Sequence, residues 1–119
     1  MRRSLRPLFT SLALIVFNPG AAPAATPLMK AGAAIGLIAE AHAWGDFCGQ
    51  WKIDVNVEAD FLQAQEIVRD ANFASAYAPA FAKAQTSALK AGSARDACAK
   101  ALEWFGPNGS RLPDLFERI

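Results

Sequence analysis

Residues 25–119 are expected to form an all-α fold, a small four-helix bundle with one long-range disulfide and a short C-terminal tail packed on the core. Three observations predict it. Apolar residues recur at four-three spacing in successive segments, no internal repeat or convincing sheet pattern interrupts them, and Cys48 and Cys98 fall on the apolar stripes of the first and last segments. Ahead of this domain, residues 1–24 read as a signal peptide. Arg2, Arg3 and Arg6 form a basic start, Leu8 to Phe17 is an apolar run, and Ala22-Pro23-Ala24 is a small-residue cleavage site. The run is shorter than the roughly 20 residues that span a bilayer, so no transmembrane segment is expected once the leader is removed.

Two features leave the export route and the cleavage point open. Arg2-Arg3-x-Leu5-Arg6 resembles a twin-arginine signal, although Met1 stands where that pattern usually has Ser or Thr, and a basic start for general export explains the same residues. Ala41-His42-Ala43 is a second A-x-A site, but using it requires a long leader with Glu40 beside the cut, so cleavage after Ala24 is the expectation. Either route places the chain in the periplasm or outside the cell, where thiols oxidise.

The first helix is expected over roughly Leu28 to Gln50. Leu37, Ala41, Trp44, Cys48 and Trp51 share one face, which Ile35 and Ile38 widen. Gly32, Gly36 and Gly45 each cost about 1 kcal/mol against Ala, so this helix needs tertiary partners. Lys52 to Val57 alternates polar and apolar residues, yet a lone short strand has no obvious mate, and the segment is expected to be a linker. Asp54 or Asn56 then caps a second helix ending near Asn72, with Glu58 and Asp60 well placed in its first turn.

Phe73 to Tyr77 reads as a hinge or a single turn, because Pro79 suits the first turn of a helix and not its interior. The third helix is therefore expected from Pro79 to Ala91, stopped by Gly92. Ser93-Ala94-Arg95-Asp96 is close to a capping box and opens a fourth helix, which carries Cys98, Ala101 and Phe105 and ends at Gly106-Pro107. Asn108-Gly109 turns the chain, and Leu112, Leu115, Phe116 and Ile119 are expected to fold back onto the core.

Charge excludes one class of partner. The chain has 12 Lys+Arg and 11 Asp+Glu; losing Arg2, Arg3 and Arg6 leaves nine against 11, a net charge of −2. With no basic stripe, no nucleic-acid partner is expected.

The residues with chemical potential are few. Cys48 and Cys98 are expected to form a structural disulfide, since a redox-active pair usually has C-x-x-C spacing near a helix N-terminus. His42 is the only histidine, and Asp46 lies one turn on. Together they are a weak metal candidate, because two ligands do not complete a site; the plainer reading is a surface histidine paired with an acid. There is no C-x-x-C-H haem signature and no nucleophile motif around Ser75, Ser87, Ser93 or Ser110, so no catalytic residue and no cofactor is assigned. Trp44, Trp51 and Trp104 have two readings: core that shields the disulfide, or an apolar binding face. Trp104 sits off the Cys98–Phe105 stripe and is expected to be the exposed one.

The signal peptide, tryptophan-flanked Cys48, Cys98 and the tail Phe105-Gly106-Pro107-Asn108-Gly109 resemble short exported helical proteins of Gram-negative bacteria that have no assigned activity. The likeness implies location and fold and no reaction. In architecture alone the chain is also similar to the HdeA-type periplasmic chaperones, which are small, helical and joined by one long-range disulfide. The functional expectation is an exported, non-enzymatic helical module that binds a protein or an envelope component. The alternatives are a periplasmic stress chaperone, a carrier of small lipophilic ligands or, from another class, a small hydrolase or redox enzyme.

Overall fold

A computed structural model describes residues 28–119, so the expected leader and its Ala24 cleavage site lie outside the described residues. The chain runs α1 (Ala31–Gly45), β1 (Trp51–Ile53), α2 (Val55–Ala64), α3 (Ala71–Leu89), α4 (Ala94–Phe105) and β2 (Phe116–Arg118). It is mostly helical, and no described helix is long and apolar enough to cross a membrane.

α1 is the central element, packed against α3 and α4. Ala34, Ile35, Leu37, Ile38, Ala39, Ala41, Ala43 and Trp44 are all buried. A helix apolar on nearly every side is one that a core surrounds. The alternative cleavage site falls inside it: Ala41 and Ala43 are fully buried, and a cut after Ala43 would remove most of this helix.

α1 ends at Gly45, five residues before the expected Gln50. The C-terminal tail meets α1 at this end. A Cβ on Gly45 would lie 2.7 Å from the Phe116 ring, so the helix has room for that ring only because residue 45 has no side chain. The chain then turns, and Cys48 is buried in this turn rather than on a helix.

The expected linker is in fact half of a sheet. β1 pairs antiparallel with β2 in the register Trp51↔Arg118, Lys52↔Glu117 and Ile53↔Phe116. Two further backbone bonds lengthen the ribbon, from Asp54 N–H to the Leu115 carbonyl (2.7 Å) and from Ile119 N–H to the Gln50 carbonyl (3.1 Å). Lys52 and Ile53 of the alternating run are therefore strand, with a mate at the far end of the chain, while Val55 and Val57 already belong to α2. Of the tail residues, Leu115 and Phe116 are buried and Leu112 partly so, but Ile119 is 79% exposed, contrary to expectation.

α2 starts as expected, with the Asp54 carboxylate accepting from Asn56 N–H (3.0 Å) and Val57 N–H (3.2 Å). It stops at Ala64, well short of Asn72. Glu66 takes a left-handed conformation (φ 58°), Ile67 N–H bonds to the Leu62 carbonyl and Glu66 N–H to the Gln63 carbonyl. This is a Schellman ending, with Glu where glycine is usual.

The hinge at Phe73 to Tyr77 is also corrected, because those residues are helical. α3 begins at Ala71, capped by Asp70, whose carboxylate accepts from Phe73 N–H at 2.9 Å. It passes straight through Pro79. Alanine-rich neighbours of high helix propensity and the burial of Phe73, Ala84 and Ala88 outweigh the hydrogen bond that Pro79 cannot make. α4 matches its expected span, with the Ser93 hydroxyl accepting from Asp96 N–H.

The disulfide joins Cys48 to Cys98, 50 residues apart in sequence. It ties the turn after α1 to the first half of α4. Phe105, Ile38 and Leu115 fill the deepest part of the core.

Candidate functional site

Three elements converge on one buried carboxylate. Glu58 of α2 has a side chain only 5% exposed. His42 of α1 donates its Nε2–H to Glu58 Oε1 at 2.6 Å, and the Arg69 guanidinium pairs with Oε2. Both oxygens are thus answered, as a buried anion requires. Behind them, Phe73, Tyr77 and Phe81 stack one turn apart along α3, at 5.7 and 5.8 Å between ring centres. Tyr77 meets the His42 ring edge-on at 5.9 Å, and Arg69 lies over Phe73 at 5.2 Å.

The electrostatics keep His42 neutral. Burial pushes its pKa below the usual histidine value, the Arg69 charge pushes the same way, and Asp46 pulls back. Burial also raises the Tyr77 hydroxyl, with Asp46 adding to it. The expected acid partner, Asp46, is exposed at the end of α1 and shares a cleft of about 240 Å³ with His42, Trp51, Lys52 and Phe116. Glu58, which the sequence offered only as a first-turn acid, is the residue that reaches the ring. Among the described residues, no three His, Cys, Asp or Glu side chains converge as a metal site needs.

The tryptophans take different places. Trp44 is buried and meets Trp104 edge-to-face at 5.2 Å. Trp104 is only partly buried, and Lys100 and Arg111 lie over its ring at 5.5 and 5.0 Å. Arg111 is in turn held by Glu40. Trp51 sits on β1 beneath Arg118 at 5.1 Å. It also lines an open cleft of about 670 Å³ beside the disulfide, together with Phe47, Arg95 and Leu102.

A third feature was not anticipated. Val57, Phe61 and Ala64, on one side of α2, face Leu112 and Pro113 of the C-terminal segment across a groove of about 500 Å³. Leu37 of α1 and Met29 also line it. The Gln65 amide oxygen accepts from Met29 N–H at 2.7 Å and fixes that corner. Asp60 and Arg111 are the charged residues of the lining. The signal lay in the four-three run through Val57, Phe61 and Ala64, which reads as a core stripe until the partner helix is found missing from that side. Compared with family models, characterised proteins and solved structures, the chain matches none.

Proposed function

We propose that the protein is an exported, non-enzymatic helical module that binds another protein or an envelope component through the groove between α2 and residues 111–113. The observation that carries this reading is the groove itself. Met29, Leu37, Val57, Phe61, Leu112 and Pro113 make its lining mostly apolar, with Asp60, Gln65 and Arg111 as the polar members. Its size falls within the range of roughly 300–1,000 Å³ usual for ligand sites. The binding face thereby moves from the tryptophans to α2, since Trp44 is buried and Trp51 and Trp104 already carry cationic side chains over their rings.

Residue-specific photo-crosslinking in the native envelope tests this. A crosslinker in place of Phe61 or Leu112 is expected to trap a defined partner, whereas one in place of Thr86, exposed on α3, is not. Equal trapping at all three positions, or none at any, would end the proposal. The groove's volume also favours a second reading, a small lipophilic ligand. Native mass spectrometry of the exported protein would then show a retained ligand that Phe61→Asp releases.

A further inference from the structure

α2 is lightly seated. Of its ten residues only Glu58 and Leu62 are buried, and it makes no broad contact with another helix. One of its two buried side chains is therefore a charge, and only the half-buried Val57 and Phe61 add to the hold of Leu62 on the core. That charge is clamped from outside α2, by His42 of α1 on one oxygen and by Arg69 of the segment entering α3 on the other. A buried carboxylate is tolerated while it is paired and becomes a liability when its partners no longer match it.

We infer that the His42–Glu58–Arg69 cluster is a proton-sensitive latch that holds α2 against α1, and that its release widens the groove lined by Val57 and Phe61. The inference rests on the groove reading above and supplies its regulation. With Glu58 ionised, one anion faces Arg69 and an imidazole. A proton on Glu58 cancels that attraction. Where His42 also takes up a proton, a neutral acid is left between two cations.

The surrounding groups do not replace the lost charge. Asp46, beyond His42 on α1, is exposed and favours the charged imidazole without contacting α2 through any ion pair. Tyr77 on α3, edge-on to His42, is a neutral phenol throughout acid and supplies no charge. Release leaves Leu62 as the buried apolar anchor of α2, and Leu37 on α1 is uncovered as α2 swings away.

Hydrogen exchange read by mass spectrometry on the exported, disulfide-intact chain tests the latch, with exchange times corrected for the intrinsic effect of pH. Between neutrality and about pH 3.5, below the ordinary carboxylate range, amides 59–64 are expected to lose protection by about tenfold or more. Those of residues 98–105 in α4 keep theirs. Glu58→Gln, which removes the charge and keeps the shape, is expected to open α2 already at neutral pH. Glu58→Leu combined with Arg69→Met replaces the ion pair with apolar packing and is expected to leave α2 protected at both pH values. Should Glu58→Gln fail to fold, the wild type against this double variant decides alone.

Three results overturn the latch: α2 indifferent to acid, α2 and α4 loosening together, or the double variant opening in acid as the wild type does. The readout is α2's own amides and needs no partner. A failed crosslinking experiment therefore leaves the latch standing, and a failed latch leaves the groove reading to its own test.

Discussion

Replacing both cysteines by alanine is expected to remove a large part of the stability. Cys48 and Cys98 are separated by 50 residues. In the chain-entropy treatment, tying such a loop lowers the entropy of the unfolded chain by about 14 cal/mol/K, or about 4 kcal/mol at room temperature. Domains of this size are commonly stable by about 5–15 kcal/mol in total. Alanine is the right replacement, because Cys48 is buried and a serine hydroxyl there would add a desolvation cost unrelated to the crosslink. Urea unfolding followed by far-ultraviolet circular dichroism measures the effect. The double variant should show a much lower midpoint, and a steeper transition because its unfolded chain is less compact. A loss below about 1 kcal/mol would refute the reasoning, since it would mean that the unfolded chain gains almost no freedom when the loop is cut.

Other perturbations probe single contacts. Gly45→Ala is expected to destabilise by about 1–3 kcal/mol despite alanine's better helix propensity, because its Cβ meets the buried Phe116 ring at 2.7 Å; an unchanged urea midpoint would count against the close approach. Pro79→Ala is expected to stabilise by about 2 kcal/mol: an exposed helix-interior position regains its hydrogen bond, worth about 3 kcal/mol, and gives back up to about 1 kcal/mol as the unfolded chain becomes freer. A lower melting temperature in that variant would contradict a helix continuous through residue 79. His42 has its folded pKa held below the unfolded value, so below about pH 6.5 the unfolded state binds more protons and stability should fall as pH falls. Urea midpoints between about pH 5 and 7 should follow that slope, and His42→Gln should flatten it; an unchanged slope would place the titrating group elsewhere.

What the sequence made legible follows from how far each interaction reaches along the chain. α4 was readable to the residue because its start is set by Ser93 bonding three residues on and its end by Gly106. Cys48 and Cys98 were readable as a pair because the sequence holds just two thiols and its expected leader implies an oxidising setting in which they can join. The failures involve distance or an unusual residue at a usual position. Gly45, as the end of α1, makes sense only when Phe116, far along the chain, lies against it. Glu66 closes α2 in a conformation that glycine normally signals, so the stop carried no mark in the sequence. Pro79 carried a mark that local context overrode.

The same logic explains why only the local half of Glu58's role was legible. In a lone helix a first-turn acid is worth only a few tenths of a kcal/mol against the macrodipole, and that local role accounts for its position fully. Only when α1 and the segment before α3 bring His42 and Arg69 to its two oxygens does it become a buried charge, on a helix that has Leu62 as its other buried anchor. A residue satisfied by a local explanation thus carries the long-range one as well. The stripe beside it was open to the same error: Val57, Phe61 and Ala64 have the spacing of a core face, yet Val57 and Phe61 are only half-buried, Ala64 is exposed, and the three border a groove. Spacing identifies an apolar side, and only the placement of the other elements decides whether that side is filled by the fold or left for a partner.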